Sequence, residues 1–260
     1  MHARAAQPDD YDAVAGFLLQ LAPDHLPPPR ERWVEQLCPQ TIFLVEDGVL
    51  AAYSLSFAFG RRGDVRQIVV DRAFRQRGIG KVLMATVAAK LRAAGCTEWR
   101  LEVRADNAPA IALYRSVGMR PHHAIDNLEM SVEACARFAA TRSGRHATAL
   151  VVAADDAALE ANLDLGTGQL ARWRRYRAHC PMFRVGTTAL TQVWPDLSAT
   201  RGVMFPFLAP DVDVAAHLLA EVLPGPTAYE ISVTNPDVSA ALIAGGATVR
   251  EQQFEFAGEL

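Results

Sequence analysis

Apolar positions along the first half of the chain alternate between helical and strand periodicity. Val14, Phe17, Leu18 and Leu21 recur at helical spacing after a short opening strand, and they predict a helix over residues 9–21. Turn signals then separate shorter runs of β-branched and aromatic residues, which favour strands. The further elements predicted in this half are a helix over 30–37, strands over 41–45, 49–57 and 65–70, a helix from 79 to a stop at Gly95, a strand over 99–103, a helix over 108–117 and a strand over 125–130.

The second half of the chain resembles a repeat of the first. A polar and basic stretch over residues 141–146 separates the two halves, and residues 229–247 align with 101–119 without a gap at a constant offset of 128. The identities at that offset are Glu230 with Glu102, Asn235 with Asn107, Ala240 with Ala112, and Gly246 with Gly118. Because the order of strand, turn, helix and glycine also agrees, we predict two related domains over 1–140 and 147–260.

Composition narrows the class of partner. The 260 residues carry a formal charge of −3 and are 50% hydrophobic, which is the balance of a globular protein with a core. This charge provides no net field to attract nucleic acid, and no stretch reaches the ~18 apolar residues of a membrane span. The four cysteines show no metal-ligand spacing and are predicted to be reduced and packed. We therefore expect a cytoplasmic protein, monomeric or homodimeric, that holds no metal and binds neither nucleic acid nor membrane.

The sharpest chemical signal is the hexapeptide at residues 75–80, Arg-Gln-Arg-Gly-Ile-Gly, between a predicted strand and a predicted helix. Its glycines let the backbone turn tightly and present N–H groups to an anion, and the helix dipole adds a favourable field. Arg75, Arg77 and Lys81 put cations at the same place, which suits a pyrophosphate. A tight turn with solvated arginines is the alternative interpretation, and the hexapeptide alone leaves both open.

Two common nucleotide motifs are absent from this segment. Val82 follows Lys81 where a P-loop needs a hydroxyl, and Leu83 stands at the third glycine position of a dinucleotide fingerprint. ATP and NAD are therefore disfavoured as ligands of this loop.

A second stretch pairs a helix cap with a tyrosine. Asn107 is a good N-cap with Pro109 in the first turn, and Tyr114 lies seven residues on, so both side chains can face one cleft. A phenol with a reference pKa near 10 stays protonated at neutral pH and can donate a proton. The structural alternative makes Asn107 only a cap and Tyr114 only a buried aromatic.

Together the two stretches resemble the GNAT family of acetyltransferases. Residues 75–80 match its Q/R-x-x-G-x-G/A loop, and residues 101–119 are similar to its other diagnostic segment. The resemblance implies an α/β fold of two tandem units, each a mixed, mostly antiparallel sheet flanked by helices. It also implies acetyl-CoA as co-substrate, with direct transfer of the acetyl group to a primary amine of a small molecule or a protein. The cofactor-binding residues it implies are Ile68, Val69, Val70, Arg75, Gln76, Arg77, Gly78, Ile79, Gly80, Lys81, Asn107 and Tyr114.

The resemblance also assigns roles to these residues. The strand over 65–70 should open away from the next strand, so that backbone groups at 68–70 meet the pantetheine arm and the acyl carbonyl. The Tyr114 hydroxyl would protonate the departing thiolate. Asp64 occupies the position of a glutamate base but is one methylene shorter, and it could equally be a turn residue. Glu102 is the substitute base, although the sequence favours a charged residue on an exposed face as its role.

The second half departs from the family pattern. Its loop, at residues 205–213, has no glycine pair and no cation, and Leu242 stands where the offset requires the tyrosine. We expect this copy to be non-catalytic. A non-catalytic acyl-CoA-binding or regulatory module is the alternative for the whole chain.

Two other local features suggest different functions. Residues 172–177 mix arginines with aromatics, as nucleic-acid patches do, but helical spacing favours a helix with Trp173 and Tyr176 packed inward. His122 and His123 show no ligand spacing and are expected to be structural or exposed.

Overall fold

The computed structural model describes residues 1–21, 27–176, 178–195, 198 and 200–260. Contacts between residues divide this chain into two units. Unit 1 comprises Met1–Val103, Asn107–Pro121 and Phe256–Leu260, and unit 2 comprises Arg104–Asp106 and His122–Glu255. The division therefore differs from the boundary predicted at 141–146, because residues 122–140 group with unit 2 and the last five residues group with unit 1.

The elements of the first part of the chain follow the predicted order. The 30–37 segment is a short helix that continues into a π turn at Trp33–Leu37 rather than one regular helix. The strands and helices are β1 (His2–Ala5), α1 (Tyr11–Leu21), α2 (Arg30–Arg32), β2 (Thr41–Glu46), β3 (Val49–Phe59), β4 (Arg62–Val70), α3 (Ile79–Ala93), β5 (Glu98–Arg104) and α4 (Ala108–Ser116).

The later elements include two long strands, β6 after α4 and β12 after α9. They are β6 (Arg120–Ser131), α5 (Val132–Ala139), β7 (Thr148–Leu150), α6 (Asp156–Asn162), α7 (Gln169–Tyr176), β8 (Met182–Val185), β9 (Ala189–Trp194), β10 (Arg201–Leu208), α8 (Val212–Leu219), β11 (Ala228–Val233), α9 (Pro236–Ala244) and β12 (Thr248–Glu259).

Unit 1 is built on a sheet with helices on both faces. The strand order is β1-β2-β3-β4-β5, with antiparallel pairing up to β4 and parallel pairing of β4 with β5. On one face, Ile79 and Leu83 of α3 pack in a cluster with Leu44 of β2. On the other face, the Phe17 ring of α1 lies 5.2 Å from the Tyr53 ring. This mixed, mostly antiparallel α/β architecture confirms the predicted fold.

Unit 2 has the same plan. Its strands follow the order β12-β6-β11-β10-β9-β8-β7, with β10 and β11 parallel and the β9–β10, β8–β9 and β7–β8 pairs antiparallel. Its main core cluster contains Leu128, Met204, Leu218, Ile231 and Leu242, all at 0% exposure. Each unit therefore contains a mixed sheet with its own core cluster.

The repeat predicted from the sequence reappears in the element bounds. α4 and α9 begin and end at positions that differ by 128, and so do β6 and β12. The helix caps agree as well, since Asn107 accepts a hydrogen bond from Ala110 N at 3.2 Å and Asn235 accepts one from Val238 N at 3.3 Å. Agreement of strand, cap and helix at one offset supports a duplication.

Three smaller predictions also have outcomes. All four cysteines are buried free thiols, as predicted. In α7, the Trp173 ring lies 6.0 Å from Phe205 and the Tyr176 ring lies 6.3 Å from Trp194, which confirms the packed helix; Arg177 lies outside the described residues. Among the helices that the structure describes, none combines the length and the apolar character that crossing a membrane requires.

Candidate active site

The candidate site of unit 1 begins where β4 separates from β5. Their parallel pairing runs only from Arg62 with Glu98 to Val65 with Leu101. At the same point the β3–β4 register shifts, because Leu55 pairs with Gln67 and Ser56 with Val65, which makes Arg66 the extra residue of a β-bulge. Within the described residues, the 66–70 segment therefore has a strand partner on the β3 side only.

The side chains at the end of β4 pack into the protein, so a ligand at this strand can contact only its backbone. Ile68 and Val70 pack against the core cluster under α3, and Val69 is 4% exposed. The Val70 carbonyl already accepts a hydrogen bond from Arg75 Nε at 3.0 Å. The backbone groups of this segment that do not pair with β3 lie on the side from which β5 has diverged, as an acyl-binding edge requires.

Charged side chains surround the bulge. Arg66 and Asp64 form an ion pair with 3.5 Å between Nη1 and Oδ2, and both interact electrostatically with Glu102 of β5. Burial raises the pKa of the Glu102 carboxyl, Asp64 raises it further, and Arg66 opposes the shift. Glu102 is exposed, so solvent reduces this effect of burial. The structure thus brings the two candidate bases, Asp64 and Glu102, into one charged group.

The predicted phosphate loop lies directly before α3. Gln76 and Gly78 have positive φ values of 63° and 79°, and Gly78 is the N-cap of the helix. Lys81 N donates to Gly78 O at 3.0 Å, which starts the helical ladder and leaves the N–H groups of Ile79 and Gly80 without a helical acceptor. Such a glycine turn at the start of a helix of 15 residues is a ready-made anion site.

The three cations of this loop differ in their surroundings. Arg75 is bonded to the Val70 carbonyl, whereas Arg77 forms an ion pair with Glu46 at 3.0 Å and lies over the Phe74 ring. Lys81 is exposed and has no ion-pair partner in the described part of the chain. Lys81 is therefore the cation most available to a phosphate. Arg77 would have to leave its ion pair with the Glu46 carboxylate before it could bind a phosphate.

The helix α4 brings Asn107 and Tyr114 to the same part of unit 1. A Cβ atom built on Gly80 would lie 3.0 Å from Leu113 Cδ2, so the start of α3 packs directly against α4. Asn107 Oδ1 caps α4, which is the structural role foreseen for it, and its amide nitrogen has no hydrogen-bond partner among the described residues. That nitrogen can still contact a cofactor.

Tyr114 combines a buried ring with an available hydroxyl. The residue is 7% exposed, and burial raises its pKa to about 12. Its hydroxyl makes no hydrogen bond to any residue that the structure describes, and it is absent from the fully buried polar atoms that lack partners. A phenol that keeps its proton and opens to solvent differs from a structural tyrosine, whose hydroxyl is normally bonded inside the fold.

The corresponding place in unit 2 has the opposite charge. Asp211 caps α8 by accepting from Val214 N at 2.9 Å. Asp213 accepts from Ser143 N at 2.6 Å and from Ser143 Oγ at 2.7 Å, and these bonds hold the pKa of its carboxyl below the usual value. Two carboxylates at the start of this helix are unfavourable for a phosphate.

One group of side chains has the chemistry of metal ligands. One atom each of His122, His123 and Glu255 lies within 4.8 Å of the others, and Glu255 Oε1 is 4.0 Å and 3.8 Å from the two Nε2 atoms. Both histidines are exposed, as the sequence predicted. Because these distances also fit ion pairs with protonated imidazoles, the expectation of a metal-free chain stays a prediction.

Sequence reasoning missed three residues of the site. Arg66 is not recognisable without the bulge, and Glu46 lies between two predicted strands although it pairs with Arg77. Phe256 lies 142 residues from Tyr114 along the chain, yet the two rings are 6.0 Å apart. Only the repeat could have suggested Phe256, because it falls on the strand that repeats β6.

Comparison with known proteins bears on the family of unit 1. Residues 11–119 match the family model described as Acetyltransferase (GNAT) family. The [Ribosomal protein bS18]-alanine N-acetyltransferase of Salmonella typhimurium is 37% identical over 75 residues, which are 29% of this chain and 51% of that protein. The mycothiol acetyltransferase of Clavibacter michiganensis is 40% identical over 74 residues, covering 28% of this chain and 24% of that protein. The chain thus spans about half the length of the first of these relatives and a quarter of the second.

Solved structures match over the whole chain. A crystal structure from Pyrococcus horikoshii has a TM-score of 0.73 at 14% identity and covers 100% of this chain and 89% of that one. A tandem GNAT protein from the clavulanic acid biosynthesis pathway has a TM-score of 0.62 at 15% identity, and the match covers 99% of this chain and 97% of that one. Residues 11–119 therefore match the GNAT acetyltransferase family model, and the fold of the chain as a whole is similar to that of a tandem GNAT protein.

Proposed function

We propose that this protein transfers an acetyl group from acetyl-CoA directly to a primary amine, using the site in unit 1. The observation that carries the proposal is the divergence of β4 from β5 after Val65. It leaves a strand edge beside a glycine loop, an arrangement suited to a long cofactor whose extended arm is joined to a pyrophosphate. The curated relatives named above are acetyltransferases, which supports the same chemistry.

Different residues of unit 1 bind the cofactor, orient the acetyl group and transfer protons. The loop from Arg75 to Lys81 binds the phosphates, and backbone groups of Ile68 to Val70 orient the acetyl carbonyl and stabilise its developing negative charge. Glu102 or Asp64 accepts the proton of the attacking amine. Tyr114 donates a proton to the CoA thiolate as the thioester bond breaks.

Acyl transfer across a panel of amines tests this proposal. The panel contains a peptide that begins with alanine, spermidine, kanamycin and free amino acids, and thiol release from acetyl-CoA is the readout. We expect saturable release with at least one amine and an acetylated product by mass spectrometry. Tight binding of acetyl-CoA without release for any amine would contradict the enzyme and favour the non-catalytic acyl-CoA-binding module.

The chain is expected to bind one acetyl-CoA. Unit 1 has the glycine turn with cations, whereas the start of α8 in unit 2 carries Asp211 and Asp213. Leu242 also replaces the tyrosine there, and it is fully buried in the core. Titration calorimetry should give a stoichiometry near one per polypeptide, and a value near two would show that unit 2 also binds.

The pH dependence of turnover is expected to reflect Glu102. A general base works only when deprotonated, and the raised pKa of Glu102 moves its ionisation above the usual glutamate value of about 4.3. The acidic limb of kcat/KM should therefore lie at higher pH than for an unperturbed glutamate. Glu102→Gln should remove this limb and lower the plateau by about 10²–10⁴-fold.

Asp64→Asn is the matched control for that profile. The acceptor amine adds its own ionisation, which is common to all three proteins and therefore cancels in the comparison. If Asp64→Asn loses the limb while Glu102→Gln keeps it, the base is Asp64. If both variants keep the limb, the proton leaves through water.

A further inference from the structure

The last residues of the chain are part of unit 1. Phe256–Leu260 groups with the N-terminal unit, although 255 residues precede it. Leu260 N donates to Thr97 O at 2.9 Å beside β5. A Cβ atom built on Gly258 would lie 2.9 Å from Trp99 Nε1 and 3.2 Å from Met119 Cγ, so this segment is closely packed. The segment is therefore an ordered, packed part of unit 1.

Phe256 is the member of this segment that reaches the candidate catalytic tyrosine. It is fully buried, and its ring centroid lies 6.0 Å from that of Tyr114 at an interplanar angle of 59°. Tilted aromatic pairs at this distance fix the orientation of both rings. Since the Tyr114 hydroxyl has no hydrogen bond to any described residue, we take ring packing to determine where that hydroxyl points.

The repeat supplies an internal comparison for this pair. At the offset of 128, Tyr114 corresponds to Leu242, and Phe256 corresponds to Leu128. Leu128 and Leu242 both lie at 0% exposure in the core cluster of unit 2. The aromatic partner is therefore present where the tyrosine is present, and an aliphatic residue replaces it where the tyrosine is lost.

We infer that Phe256 is a positioning residue for Tyr114, and that the C-terminal strand of the second half completes the catalytic unit of the first. The inference rests on the proposed acetyl transfer. It gives the second half of the chain a role in the reaction, because its final strand supplies the Phe256 ring that packs against Tyr114. The first half of the sequence alone would therefore lack part of the site.

The test compares Phe256→Leu, which installs the residue found at the repeat position, with Phe207→Leu. Phe207 is equally buried, at 1% exposure, but lies in the core of unit 2. We expect Phe256→Leu to lower kcat about 10- to 100-fold, as small misplacements of reacting groups do, with the KM for acetyl-CoA within twofold. Phe207→Leu should lower the melting temperature similarly and leave kcat unchanged. Phe256→Met, which nearly conserves volume, serves if the leucine variant does not fold.

A double variant separates positioning from general damage to the fold. If Phe256 acts through the Tyr114 hydroxyl, adding Phe256→Leu to Tyr114→Phe should lower kcat by less than twofold further. A second loss of tenfold or more would overturn the inference. The assay uses acetyl-CoA and the best acceptor of the amine panel.

A spectroscopic readout keeps this inference distinguishable from the proposed function. In the chain labelled with ¹³C-tyrosine, the Tyr114 signal is the one of five that disappears in Tyr114→Phe. Phe256→Leu should shift or broaden that signal and leave the other four in place. An unmoved signal with unchanged kcat overturns the role of Phe256 alone. A fully active Tyr114→Phe overturns the catalytic tyrosine and, with it, the need to position it.

Discussion

Replacing Tyr114 by phenylalanine is expected to lower kcat by about 10²–10⁴-fold while the affinity for acetyl-CoA stays within twofold. The substitution keeps the ring against Phe256 and removes only the hydroxyl, which has no hydrogen-bond partner in the described chain. A pKa of about 12 keeps the phenol protonated at working pH, so its proton is available to the leaving thiolate. Little stability should be lost, because no protein group is left unpaired.

Tyr229→Phe is the matched control for this experiment. Tyr229 is also fully buried, but its hydroxyl donates to Leu223 O at 3.0 Å in unit 2. That variant should lose about 1 kcal/mol of unfolding free energy and keep full kcat. Thermal melting and steady-state kinetics on both variants give the two patterns. If Tyr114→Phe instead melts earlier and keeps its activity, Tyr114 is structural and another group protonates the thiolate.

The parts of the site that the sequence predicted are those that local chemistry determines. Glycines directly before an apolar helical stripe favour a tight turn that leads into a helix. The loop at 75–80 lies at the start of α3, as expected. Asparagine is a preferred N-cap and proline is preferred in the first turn of a helix, so Asn107 and α4 were also predictable. Each of these depends on a few consecutive residues.

The parts that escaped prediction depend on residues far apart in sequence. The bulge at Arg66 is a property of the β3–β4 register, which no single strand reveals. The grouping of Phe256–Leu260 with unit 1 depends on which strand edges meet, and hydrophobic periodicity is the same for either choice. A boundary drawn at a polar linker assumes that domains are continuous in sequence, which the contacts of this chain do not follow.

Replacing Gly78 by valine is expected to raise the Kd for acetyl-CoA at least about tenfold, because a side chain would occupy space beside the free N–H groups that start α3. In the structure, a Cβ atom at Gly78 has no heavy atom within 4 Å, so the unliganded loop has room for it. The φ of 79° disfavours a β-branched residue by about 1–2 kcal/mol, so some stability should be lost as well.

Gly95 separates that strain from loss of the binding site. It follows the other end of α3 with a φ of 87°, and a Cβ atom there also has no heavy atom within 4 Å. Gly95→Val should therefore lose the same stability and keep its affinity for acetyl-CoA. Gly78→Asn tests whether bulk alone weakens binding, since asparagine tolerates positive φ and adds a side chain with little strain. Calorimetry on the three folded variants should show weaker binding in both Gly78 variants only; an unchanged Kd in Gly78→Val and Gly78→Asn would mean that the pyrophosphate binds elsewhere.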